Sequence, residues 1–254
     1  MLFRRNSLYR GLAEVLKHSL RVVLVEPEGE VNVGFVARVM KNFGFKNLVL
    51  VNPKVNVEDS LPYASHGGDV LKSALICKNI DEAIKGCSLV AATSSKVSVG
   101  EDLLRIPMTV KEFAKKVAEL KDANIAILFG RESVGLTREE IGKSHILVTI
   151  PASKDYPSLN LSHAVAIVLY EIFNAKAETS QVGMVEQPKP KEMEALLKNI
   201  EQAVRALKMP AYRERKTETV LKRVIGRAFI SRHEAYVLSG FFRKVHLLLS
   251  GGKK

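Results

Sequence analysis

The 254-residue chain holds only two cysteines, Cys77 and Cys87, with no CxxC pair and no histidine-rich partner beside them. Neither a disulfide framework nor a zinc site is suggested, and a reducing, cytoplasmic setting is expected. No run approaches the roughly 18 consecutive apolar residues of a membrane span. The start, MLFRRNSLYRGLAEVLKHSL, lacks the continuous apolar stretch and small-residue cleavage site of a secretory signal. The familiar phosphate cradles are missing too. There is no GxxxxGK(S/T), and no GxGxxG follows the first apolar run, which disfavours a P-loop nucleotidase or a dinucleotide enzyme. Internal repeats and low-complexity tracts are also absent.

What the chain does have is enough apolar content, 46%, for one large domain with a core and a smaller appendage. It also has a formal charge of +12, and that charge is unevenly spread. Residues 188–254 carry 16 Lys/Arg against 6 Asp/Glu, or +10, whereas residues 1–187 carry 23 against 21, or +2. A basic tail of this kind answers a polyanion such as RNA, or is a solvated helical face.

Strand-length apolar runs alternate with helical patterns over the first 174 residues, the signature of a mostly parallel α/β sheet. Strands are predicted at 21–26, 47–51, 74–77, 88–93, 124–129 and 145–150. A helix over 32–43 would place Val33, Val36, Val39, Met40 and Phe43 on one stripe. Thr109 opens a second helix with Glu112 in capping-box position, and 161–174 is a third. Periodicity fades over 175–190, which reads as a linker. Residues 191–207 and 217–249 then read as helices of a small bundle. The expected division is a domain over 1–174, a linker over 175–190 and a basic helical domain over 191–254.

Three segments concentrate Gly, Asn, Ser and charge at strand ends, where open α/β sheets bind ligands. The first, PEGEVNVGFVARVMKNFGF, sets Asn32, Gly34 and Arg38 at a loop-to-helix junction. Such a cluster suits a phosphate; taken alone, an N-cap Asn, a tightly packed Gly and a snorkelling Arg explain it better. In the second, LFGRESVGLTREEI, Gly130 and Gly135 let backbone approach a ligand, while Arg131 and Glu132 put opposite charges at the strand end. The alternative there is a glycine-punctuated turn with a surface ion pair. The third is IPASKDYPSLNLSHAVAIVLYE, where Pro151 and Pro157 stiffen a loop. Ser158, Asn160 and Ser162 precede its apolar helix, and Ser158 or Asn160 singly would serve as a cap. His66, in YASHGGD, matches no motif and reads as a satisfied structural histidine.

In this order the three segments resemble the motifs of the SpoU-TrmD, or SPOUT, methyltransferases, most closely the TrmJ-type tRNA 2′-O-methyltransferases. The likeness runs from about Arg21 to Asn174. SLNLS after IP, with FGRE and a following GLT upstream, is a specific combination. The resemblance implies an α/β, parallel-sheet, Rossmann-like core with a C-terminal trefoil knot, in which residues 151–160 thread under a loop, plus a small all-helical C-terminal domain. Ordinary connection rules would give an unknotted doubly wound sheet instead.

The resemblance also implies S-adenosylmethionine as cofactor, bent in the knot against backbone at Gly130, Ile150, Ser158 and Leu159, with Pro157 beside them. Thr93, Ser94 and Ser95 correspond to the family's donor-contacting loop. Asn32, Arg38, Glu132, Ser158 and Asn160 match the polar positions around the reacting ribose. Tenable roles for Arg38 are a phosphate clamp that stabilises the developing alkoxide, or the base that takes the proton; a guanidinium normally stays charged, which favours the first. A homodimer is implied, with the helix around Leu161 to Phe173 either a candidate contact or ordinary core, and neither metal nor membrane is expected. The expected reaction is 2′-O-methylation of tRNA, at position 32 of the anticodon loop. An rRNA methyltransferase of the same class and an inactive RNA-binding relative are the alternatives.

Overall fold

The computed structural model of the protein describes residues 19–95, 107–179 and 185–251. Most of the N-terminal stretch judged for a secretory signal, and the middle of the expected linker, lie outside the described residues.

Among the described residues, seven strands form one parallel sheet. They are β1 (Ser19–Val25), β2 (Asn47–Val51), β3 (Leu75–Cys77), β4 (Leu89–Thr93), β5 (Met108–Thr109), β7 (Asn124–Phe129) and β8 (Ile146–Thr149), in the order β3-β2-β1-β7-β4-β8-β5. Two further short strands, β6 (Leu120–Lys121) and β9 (Val185–Glu186), pair with each other. The six strands expected from the apolar runs are all present, within two residues of the expected bounds. β5, β6 and β9 have two residues each, too few for any period to register.

The strands read as near-continuous apolar runs because both faces of a parallel sheet are covered. Alternation then sorts the side chains between two cores. Val22, Leu24, Leu48, Leu50, Ile125 and Ile127 join one cluster, and Val23, Val25, Val49, Val51, Ala126 and Leu128 join the other. On the first face lie α1 (Glu30–Asn42), α5 (Val110–Glu119) and α7 (Leu161–Thr179). α1 buries Val33, Val36, Ala37 and Met40, while Val39 and Phe43 are partly covered. The Thr109–Glu112 capping box forms as its spacing predicts. α2 (Leu61–Ala64) and α3 (Gly68–Lys72) are single turns packed on α1. The second face is covered by α4 (Ile80–Ile84) and α6 (Arg138–Gly142).

Three helices follow: α8 (Pro190–Ala206), α9 (Ala211–Ala228) and α10 (Arg232–Leu249), packed around Met193, Leu196, Ile200, Val204, Ile225 and Ile230. Two expectations are corrected here. The single helix expected over 217–249 is broken: Phe229 sits in the left-handed region at φ +48° and ends α9, and Ser231 with Glu234 forms a capping box that starts α10. Also, α7 runs on to Thr179, past the expected end at Asn174 and into the expected linker. Among the described residues, no helix is long and apolar enough to cross a membrane.

The parallel register positions the site. β1 and β7 pair from Ser19↔Asn124 to Leu24↔Phe129, so the loops that leave their carboxyl ends emerge side by side. β4 and β8 pair through Thr93↔Val148, which does the same for the loops after those strands.

Candidate active site

The loops after β1 and β7 are joined by one carboxyl group. Glu132 Oε2 accepts the Glu28 amide at 2.9 Å, and Oε1 accepts the Gly29 amide at 3.2 Å and the Asn32 side-chain amide at 2.9 Å. Glu28 returns the contact by accepting the amide and hydroxyl of Ser133, at 3.0 and 2.8 Å. Asn32 in turn accepts from the Asn160 side chain at 2.9 Å, and Asn160 accepts the amide and hydroxyl of Ser162 in the first turn of α7. All three expected polar segments therefore meet in a single network. Asn160 caps α7 and touches Asn32 at once. Asn32 is not the cap of α1, a place taken by Gly29.

Arg131 and Glu132 do not form the surface ion pair considered above. The Arg131 guanidinium turns inward, 14% exposed, and bonds Glu26 at 2.9 Å, Glu140 through two nitrogens at 3.0 and 2.8 Å, and the Gly135 carbonyl at 3.2 Å. The Glu140 hydrogen bond, foremost, raises the Arg131 pKa further above its ordinary value. Burial works to raise the Glu140 carboxyl, but Arg131 and the Thr137 amide together hold it below the usual carboxylate range. Asn52, then Arg131, does the same for Glu26. Gly135, at φ +73°, closes the loop by donating its amide to the Arg131 carbonyl at 2.9 Å. Gly130 is required by the same loop: a Cβ there would stand 2.2 Å from the Gly135 carbonyl carbon and the Leu136 nitrogen. That position therefore needs a glycine for the close packing of backbone.

Beside this network opens a cleft of about 220 Å³. Its lining includes the eight residues expected to hold a donor: Thr93, Ser94 and Ser95 from the loop after β4, Gly130 after β7, and Ile150, Pro157, Ser158 and Leu159 after β8. Glu132 lines it as well, and Val148, Leu136 and Ile141 add an apolar wall that the sequence reading did not include. The Thr93 hydroxyl donates to the Leu128 carbonyl at 2.9 Å, and the Ser95 and Ser158 hydroxyls lie 3.4 Å apart, joining the two loops. Among the described residues, no group of His, Cys, Asp and Glu is arranged to hold a metal.

Arg38 stands apart from the network. It lies six residues beyond Asn32, about 9 Å along the helix axis, is exposed, and holds no ion pair among the described residues. Gly34 is a packing residue, since its Cβ would meet the Ser60 carbonyl oxygen and Tyr63 Cβ at 2.5 Å. His66 is exposed on a short turn, outside the polar network.

Comparison with known proteins follows the same outline. The model of the SpoU rRNA Methylase family matches residues 19–170. The tRNA (cytidine-2′-O-)-methyltransferase TrmJ of Methanocaldococcus jannaschii is 40% identical over 228 residues, which is 88% of this chain and 98% of that protein. The enzyme of the same name from Sulfolobus acidocaldarius is 36% identical over 233 residues, 91% of this chain and 95% of that one. Among solved structures, TrmJ from Z. mobilis ZM4 has a TM-score of 0.67 at 27% identity, covering 89% of this chain and 98% of the other.

Proposed function

Since the chain belongs to the SpoU rRNA methylase family, alongside its TrmJ members, we propose that it transfers a methyl group from S-adenosylmethionine to a ribose 2′-hydroxyl of tRNA. The observation that carries this reading is the Glu132–Asn32–Asn160 network standing at the rim of the cleft. The cleft fits the donor chemically. Ile150 and Leu159 offer apolar faces to an adenine, and the backbone of residues 130 and 158–159 offers polar groups to its edges and to the ribose. When bound, the donor supplies an electrophilic methyl group on a sulfonium.

This chain's residues align the acceptor. In-line displacement depends on orientation and on exclusion of water. Asn32 and Asn160, held by Glu132 and by the α7 cap, orient the ribose. Every oxygen of Glu132 already accepts a hydrogen bond, so its part is to hold Asn32 and the Glu28–Gly29 backbone. Ser158 stands at the cleft mouth, between donor and acceptor. Arg38, charged and exposed, clamps an RNA phosphate and stabilises the forming alkoxide.

The finer architecture belongs to the same reading. The segment 151–160 threads under a loop as a trefoil knot, a reading supported by β8 lying beside β4 and by Ser95 meeting Ser158. The sheet with its helices through α7 forms the methyltransferase domain, and the three helices from Pro190 on form a basic RNA-binding domain with its own apolar cluster, the linker between them being shorter than the expected 175–190. On α9, Arg213, Arg215 and Lys216 are exposed, with the Arg213 guanidinium over the Tyr212 ring. Two copies pair through α7, which leaves Tyr170 half exposed against Phe43. The target is position 32 of the anticodon loop, and the setting is the cytoplasm, where tRNA is modified.

Incubation with methyl-labelled S-adenosylmethionine and purified tRNA or rRNA tests this reading. Label is expected in tRNA, as a 2′-O-methylated nucleoside. Transfer to rRNA alone would identify the rRNA alternative, and RNA binding without any transfer would identify an inactive relative.

A further inference from the structure

Helix α9 carries much of the tail's positive charge, yet two of its cations face the sheet. Arg223 is 4% exposed, and its Nη2 donates to the Ile141 carbonyl at 3.0 Å. Its neighbour Lys222 donates from Nζ to the Lys143 carbonyl at 3.3 Å. One turn further on, Gly226 lies so near the sheet that an added Cβ would stand 2.7 Å from the His145 carbonyl oxygen. His145 is itself buried, with Nδ1 accepting the Val90 amide at 2.9 Å. Every one of these contacts falls on residues 141–145, the connection from α6 to β8.

That connection backs the cleft. Ile141 is one of its lining residues, and Glu140 beside it takes the two-nitrogen grip of Arg131. α6 has five residues, far too few to stand by its own hydrogen bonds. Tertiary contacts must therefore fix it: Arg131 from the loop side, and α9 from the other. Cations suit the carboxyl end of a helix, where the last carbonyls carry partial negative charge. The Ile141 carbonyl also receives the Ser144 hydroxyl at 2.8 Å, so Arg223 adds a charged donor to a buried acceptor already in use. Such a contact serves position more than hydrogen-bond satisfaction.

We propose that Arg223, with Gly226 behind it, is a positioning residue for the methyl donor: α9 holds α6 and the Ile141 wall of the cleft in place, so the basic tail supports donor binding as well as RNA binding. This rests on the cleft being the donor site.

The test is calorimetric titration of the full chain with S-adenosylmethionine, paired with steady-state kinetics and tRNA binding. Arg223→Met is expected to raise the donor Kd and the donor KM about tenfold, the scale of a lost hydrogen bond to a charged group. kcat at saturating donor and tRNA affinity should stay within about twofold. Arg223→Lys should recover most of the donor affinity. Arg215→Ala, exposed on the same helix, should weaken tRNA binding without moving the donor Kd. An unchanged donor Kd in Arg223→Met would overturn the proposal, as would a parallel loss of kcat and tRNA affinity, which would mark general destabilisation. Should Arg223→Met fail to fold, Gly226→Ala decides: a raised donor Kd supports the proposal and an unchanged one refutes it. Leu159→Asp is the control for the premise, because normal donor binding in that variant would place the donor elsewhere whatever Arg223 does.

Discussion

A Cβ on Gly130 would overlap the Gly135–Leu136 peptide, so even alanine there should deform the loop that carries Glu132. Gly130→Ala is expected to lower the melting temperature and weaken donor binding together, as measured by thermal melts and calorimetry. A variant that melts and binds like wild type would contradict the loop geometry. Glu132→Gln places an NH₂ group where a backbone or Asn32 N–H now donates, a mismatch costing about 1–3 kcal/mol. Methyl transfer should fall about tenfold or more while the donor Kd holds, and a normal kcat would remove Glu132 from the site. Arg38→Ala should likewise spare donor binding and suppress transfer, with little rescue by lysine if planar, two-nitrogen geometry is needed. At this scale the sequence made Asn32, Glu132 and Asn160 legible as polar residues at strand ends. It left Arg131's partners unread. Glu26 and Glu140 reach it only because β1 lies beside β7 and α6 folds back, and no spacing in the chain encodes that adjacency.

Among the elements, β8 is preceded by a buried histidine, His145, that reports on docking of the tail. Burial, and then the charges of Lys222 and Arg223, push His145 down to about 3 from an ordinary 6.5. Its Nδ1 accepts the Val90 amide, a role the imidazolium cannot fill. The folded pKa is depressed, so its contribution to stability is fully present above pH 6.5 and is lost as pH falls toward 3, by about 1.4 kcal/mol per pH unit. Urea midpoints measured at about pH 7.5 and about pH 5.5 should show that loss in wild type, and His145→Gln, which still accepts but does not titrate, should lose correspondingly less. Equal pH dependence in the two proteins would show that His145 is not held neutral. Strands and long helices were legible from apolar period. The break at Phe229 was obscured by continuous helical patterning, although the Ser231–Glu234 spacing carried its signal.

For the whole molecule, the charge count identified the basic tail but not its direction, because a sum over residues 188–254 cannot separate cations facing solvent from Lys222 and Arg223 facing the sheet. Exposed Arg213, Arg215 and Lys216 should set the salt dependence of tRNA binding. Replacing all three with alanine is expected to lower the slope of log K against log salt by a little under one unit per lost phosphate contact. An unchanged slope by filter binding would mean that RNA lies elsewhere. The central claim is that the cleft and the polar network at its rim together methylate a tRNA ribose. Nucleotide-resolution mapping of ribose methylation on unmodified tRNA, after reaction with the wild-type chain and with Asn160→Ala, tests it most directly. A single 2′-O-methyl group at position 32, formed by wild type and lost with Asn160→Ala, is the predicted result; methylation of a base, or a ribose product undiminished in the variant, would contradict it.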